Sequence, residues 1–193
     1  FIMAIKIKNL NTPYIIKSFN NHKNIKYDLL DFIERSKGNQ LNVSDSYYSD
    51  NISKYDWHEN TNFDRPWVKK FQPFLKQELI EIVNILGFNN FHLKLIWFQQ
   101  YLKNGTHGWH VHSDNYTGVY YLEMSEKSAK TQIVNPTNQK DIIELDVVEG
   151  DIVLFPSYVI HRAPLNNCDD RKTIISFDIN VNEIKKEILE KLK

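Results

Sequence analysis

The chain has 193 residues with 24 acidic and 24 basic side chains and no block of Lys and Arg, which argues against the broad positive surface of a nucleic-acid binder. Its one cysteine, Cys168, excludes an internal disulfide framework and a Cys-based zinc site, so a metal would be held by nitrogen and oxygen, in a reducing compartment. No apolar run approaches the roughly 20 residues that cross a bilayer, and the N-terminus lacks the order of a signal peptide, so a single-domain cytoplasmic protein is expected.

Residues 25–36 place Leu29, Leu30, Phe32 and Ile33 at near-helical spacing and predict a first helix. Residues 38–66 are polar and rich in Asn, Ser, Asp and Tyr; a loop of that length suits a lid or binding segment. A second helix is predicted from about Pro73 to Leu86, with Phe74, Leu75, Leu79, Ile82, Val83 and Leu86 on one side and Gly87 as its stop. Beyond Gly87 the pattern turns extended: about eight short β-branched or aromatic runs are separated by Asn, Gly, Asp and Pro breaks. Helices followed by strands read as an α+β chain whose second part is a sandwich or jelly roll. The amphipathic "NEIKKEILEKLK" closes the chain as a helix.

The stretch "THGWHVHSDNYTGVYYL" carries His107, His110, His112 and Asp114 within eight positions. Alternate residues of a strand share a face, so His110, His112 and Asp114 converge if the strand stays regular. A third ligand is offered by His161 in "GDIVLFPSYVIHRAPL". Two imidazoles and a carboxylate on one side of a metal form the facial triad of non-haem Fe(II) oxygenases, and His112, Asp114 and His161 supply it. Ten residues after His161 comes Arg171, with Thr173 on the same strand face, a pair suited to bidentate recognition of a carboxylate.

With "HSD", "GVYYL", "VNP", "EGDIVLFPSYVIHRAP" and "DRKTIISFDINV" in this order, the sequence resembles the 2-oxoglutarate/Fe(II)-dependent dioxygenases, in particular their prolyl-hydroxylase-like branch in phages and bacteria, over roughly residues 93–182. The resemblance implies a double-stranded β-helix core over 91–182, preceded by helical support and a variable loop (1–90) and followed by a C-terminal helix (183–193). It implies Fe(II) on His112, Asp114 and His161, 2-oxoglutarate anchored by Arg171 with contacts from Tyr121, Thr173 and Tyr101, and O2 as cosubstrate. The reaction implied is hydroxylation of a C–H bond, first of all in a prolyl residue of a peptide or protein, with release of succinate and CO2. A phage, viral or bacterial source fits the richness in Ile, Asn and Lys.

Two positions stay open at this level. Lys172 competes with Arg171 as anchor; Arg171 is preferred because its strand-face partner is a hydroxyl. His110 can displace Asp114 as a ligand, but it is expected instead to support the ligands from behind or to line the substrate pocket. The competing readings are a cupin, whose second motif Gly150 to His161 nearly fits except that Tyr158 stands at an expected glycine, and an inert binding protein on the oxygenase fold. Among the remaining residues, His107 is expected in a turn, His22, His58 and His92 have no evident partners, and Arg65 in "FDRPW" is a loop anchor or a substrate contact.

Overall fold

The computed structural model describes residues 11–44 and 49–191. The first strand, β1 (Ile15–Ser18), leads into helix α1 (His22–Arg35), which buries Ile25, Leu29 and Ile33 along one face. Helix α2 (Pro66–Ile85) starts well before the predicted Pro73, because Pro66 occupies the first turn, where its missing N–H costs nothing, and Pro73 lies inside the helix. Gly87, at φ +89°, ends α2 at the expected residue.

The polar segment 38–66 is largely strand rather than loop. It forms β2 (Asn39–Ser44), β3 (Ser49–Tyr55) and one 3₁₀ turn (Trp57–Glu59), while 45–48 lie outside the described residues. β3 joins β4 (Phe88–Tyr101) through Lys54 opposite Gln100 and Tyr55 opposite Gln99. The "FDRPW" segment is tied down by buried Asp56, which accepts from Trp67 Nε1 (2.9 Å) and Phe98 N (2.8 Å) and pairs with Arg65. Arg65 Nη2 also donates to Ile96 O (2.6 Å), so Arg65 is a structural anchor and not a substrate contact.

Eight strands follow α2, as the extended pattern predicts: β4, β5 (His107–His110), β6 (Tyr116–Glu123), β7 (Gln132–Val134), β8 (Ile142–Glu144), β9 (Asp151–Pro156), β10 (His161–Ala163) and β11 (Lys172–Ile184). They form, with β1 to β3, two antiparallel sheets ordered β1-β9-β6-β11-β4-β3-β2 and β5-β10-β7-β8, the double-stranded β-helix of an α+β chain. The expected C-terminal helix is shorter, α3 (Lys186–Glu190), because β11 continues to Ile184; residues 192–193 lie outside the described residues. Among the described residues no helix is long and apolar enough to cross a membrane.

Strand alternation divides the interior in two. Ile96 and Phe98, Tyr120 and Leu122, Ile152 and Leu154, and Ile175, Phe177 and Ile179 pack with the helices. Their neighbours Tyr101, Val119, Tyr121, Val153, Phe155 and Ile174 face the smaller sheet. The helix-side layer leaves no room at Gly118, where a Cβ would sit 2.2 Å from the Phe177 ring. Gly118→Ala is therefore expected to cost about 1–3 kcal/mol, read as a lower denaturant midpoint; an unchanged midpoint would contradict this packing.

Candidate functional site

Between the two sheets lies a cavity of about 610 Å³. The hairpin β2–β3, two antiparallel strands paired from Asn39 opposite Tyr55 to Ser44 opposite Ser49, contributes Leu41, Asp50, Ile52 and Tyr55, and the inward face of β4 contributes Leu95, Trp97, Gln99 and Tyr101. The histidines come from β5 and the segment after it, and from the start of β10. His161 pairs with His110 across these two strands.

His110, His112 and His161 each offer a ring nitrogen within 4.8 Å of the others. Each Nδ1 faces an acceptor: Gly108 O at 2.7 Å for His110, the Asp178 carboxylate at 2.9 Å for His112, and Val159 O at 2.9 Å for His161. With Nδ1–H donating, Nε2 keeps its lone pair, the arrangement that fixes tautomer and ring orientation in metal-binding histidines. Burial, the largest cause, together with neighbouring imidazoles pushes His110 down to about 2. Burial likewise pushes His161 down to about 3. Both rings are thus held neutral, as ligands require. Trp97 stacks on His112 at 5.6 Å between centroids, and the half-exposed Trp57 meets Trp97 edge-on at 4.5 Å. The all-nitrogen donor set, with aromatic side chains beside it, fits a divalent metal.

The structure does not bring Asp114 into this group. β5 ends at His110, and a bend over 113–115 carries Asp114 out of the alternation that a regular strand would have kept. His112 still turns inward, its N–H held by Ser157 O at 3.0 Å.

The expected cosubstrate residues divide by strand parity. Arg171, immediately before β11, and Thr173 within it do not line the cavity. Arg171 donates to Glu123 of β6 (2.8 and 3.2 Å) and to Glu34 of α1 (2.5 Å), and Thr173 donates to Glu123 at 2.8 Å, so Arg171 ties the sheet to helix α1 while Thr173 bonds within the sheet. Lys172 takes the inward face with Ile174, Ser176 and Asp178. It is fully buried, donates to Ala129 O at 2.5 Å and has no carboxylate partner among the described residues. Its ammonium lies 5.8 Å from the Tyr101 ring centroid and 5.7 Å from that of Tyr121. Tyr101 lines the cavity, while Tyr121 is buried beside it and donates to Thr131 Oγ1 at 2.7 Å.

Two contributors escaped the sequence reading. Asp178 supports His112 from β11, and Asp50 accepts from His107 Nδ1 at 2.7 Å, making His107 a cavity residue and not part of a turn. His22 also has partners, Tyr120 at 2.6 Å and Glu149 at 3.3 Å, which dock α1.

The fold and the imidazole-lined cavity define a double-stranded β-helix of the kind used by metal-dependent oxygenases. A family model described as "Putative 2OG-Fe(II) oxygenase" matches residues 95–178, from the inner half of β4 to β11. The chain is similar in structure to an oxidoreductase of the 2OG-Fe(II) oxygenase family from Burkholderia pseudomallei (TM-score 0.71, 10% identity, covering 89% of this chain and 87% of that one). It is also similar to a prolyl-4-hydroxylase from Pseudomonas putida (0.61, 13%, 86% and 92%). A third similar structure is a prolyl hydroxylase from Trichoplax adhaerens in complex with a hypoxia inducible factor oxygen degradation domain peptide fragment (0.62, 12%, 86% and 83%). Further similar structures include a carbocyclase and an epimerase from nogalamycin biosynthesis. No curated protein matches. The chain thus shares its fold with the 2-oxoglutarate/Fe(II) oxygenases, and the cofactors expected from its motifs are those that the matching family's description names.

Proposed function

We propose that this protein is an Fe(II)/2-oxoglutarate-dependent dioxygenase with His110, His112 and His161 as its metal ligands and Lys172 as the anchor for the distal carboxylate of 2-oxoglutarate. The observation that carries this reading is the pairing of a histidine-lined cavity with a buried lysine packed behind one of its walls. Three imidazoles converge on the cavity, and the buried Lys172, which forms no ion pair among the described residues, lies 5.8 Å from the ring of Tyr101, which lines it. Bound there, iron with 2-oxoglutarate and O2 supplies the oxidant that hydroxylates a C–H bond, releasing succinate and CO2. The protein's part is to hold the ligand rings through Asp178 and two backbone carbonyls, to receive a carboxylate at Lys172 between two tyrosine faces, and to exclude water with Trp97, Ile174 and Val119.

For the substrate, the reading is a prolyl residue of a peptide or protein. Prolyl hydroxylases among the similar structures support it, as does the cavity: Asp50 and Asp178 are committed to histidines, and the remaining wall is mostly apolar and aromatic. An uncharged ring suits such a wall better than a free amino acid. The hairpin β2–β3 would then be the substrate-side wall. The same apolar wall also favours a second reading, oxidation of an apolar ring-bearing small molecule. Balanced charge argues against nucleic acid, and the lone cysteine supports a cytoplasmic setting.

The test is to incubate the protein with Fe(II), 2-oxoglutarate and proline-containing peptides and follow peptide mass and succinate. Gain of one oxygen on proline with matching succinate is the expected result. Succinate formation that no peptide stimulates, with oxygenation of an apolar small molecule instead, would replace the prolyl reading by the second one.

A further inference from the structure

The three imidazoles are not supported alike. His112 is held by Asp178 from the central strand β11, and His161 by Val159 O within its own turn. His110 instead relies on Gly108 O and on the ring of His107, whose centroid lies 4.0 Å from its own. Both supports lead to one atom. Asp50 Oδ1 accepts from His107 Nδ1 at 2.7 Å and from the backbone N–H of Gly108 at 2.9 Å.

Asp50 belongs to the hairpin and not to the β-helix proper. Its neighbour Asn51 exchanges two backbone hydrogen bonds with Thr106 (2.8 and 3.0 Å), and Asn51 Nδ2 donates to Asn104 O at 2.9 Å. The hairpin is thereby stitched to the chain immediately before the histidines. Asp50 is 2% exposed, so its carboxylate acts in a site where hydrogen bonds to an ion are strong.

We infer that Asp50 and His107 are a positioning pair through which hairpin β2–β3 sets the orientation of His110 and hence the affinity and geometry of the metal site. His107 is not a ligand in this arrangement: the converging nitrogens belong to His110, His112 and His161. It is a strut, and Asp50 fixes both the strut and, through its N–H, Gly108, the residue whose carbonyl receives His110. The hairpin also carries Leu41, Ile52 and Tyr55 into the cavity, so whatever presses on that wall also presses on a metal ligand. The inference rests on the metal reading proposed above.

Anaerobic Co(II) titration, followed by the visible ligand-field bands, tests it on wild type, Asp50→Ala, Asp50→Asn and His107→Ala. Asp50→Ala is expected to weaken Co(II) binding by roughly ten- to a hundredfold and to shift the bands. Asp50→Asn, whose carbonyl oxygen can accept the same two bonds, should restore most of the affinity and the wild-type bands. His107→Ala keeps the Asp50 bond to Gly108, and so serves if Asp50→Ala does not fold; it too should weaken binding and shift the bands. Wild-type affinity and bands in Asp50→Ala, or in His107→Ala where that variant is read instead, would overturn the inference alone, as would failure of Asp50→Asn to recover either. No Co(II) uptake by wild type would overturn the metal reading and this inference with it.

Discussion

Lys172→Met is expected to weaken 2-oxoglutarate binding by roughly a hundredfold, within the range for truncating one partner of a buried, hydrogen-bonded charge pair, while Arg171→Ala changes it little. Methionine fills most of the same space beside Tyr101 and Tyr121 and removes the charge together with the hydrogen bond to Ala129 O. Arg171 is occupied by Glu123 and Glu34, and its loss should appear as reduced stability instead. Burial pushes Lys172 down to about 8. The charged form needed by a carboxylate is therefore present below that pH and lost above it. Affinity should hold steady below pH 8 and fall above it, by no more than the roughly hundredfold expected for Lys172→Met. Calorimetric titration with Mn(II) in place of iron reads both effects; a large loss in Arg171→Ala with none in Lys172→Met would return the anchor to Arg171.

Metal uptake should separate His110 from Asp114 as sharply. His110→Ala removes one of three converging nitrogens and is expected to weaken Fe(II) binding by on the order of a hundredfold or more, whereas Asp114→Ala should bind nearly as wild type does. Equilibrium dialysis under anaerobic conditions measures it. Loss of metal in Asp114→Ala with retention in His110→Ala would restore the set His112, Asp114 and His161.

The β-helix was legible because its signals are local: the change of period at Gly87 and eight short runs with turn residues between them. Strands β2 and β3 were hidden because their sequence is polar and because β3, on which β2 pairs, is held by β4 and by Thr106, far along the chain. Of the proposed ligands, His112 and His161 follow from spacing, whereas proposing His110 in place of Asp114 turns on where β5 stops. That stop is set by Ser157 O and Asn180 meeting the backbone of His112 and Asn115, contacts no local pattern carries. The choice between Arg171 and Lys172 was a question of strand parity. Lys172, Ser176 and Asp178 are polar residues of one parity in a buried strand, which was the available signal; the hydroxyl of Thr173 pointed instead to the face that meets helix α1.

The most direct test of the whole account is an anaerobic titration of wild-type protein with Fe(II), with and without 2-oxoglutarate, watching for the visible metal-to-cosubstrate charge-transfer band. The account predicts a band that needs both components, vanishes in His110→Ala, and in Lys172→Met appears only at much higher 2-oxoglutarate. Metal binding by wild type with no such band at saturating 2-oxoglutarate would contradict it and put the cupin or inert-scaffold reading in its place.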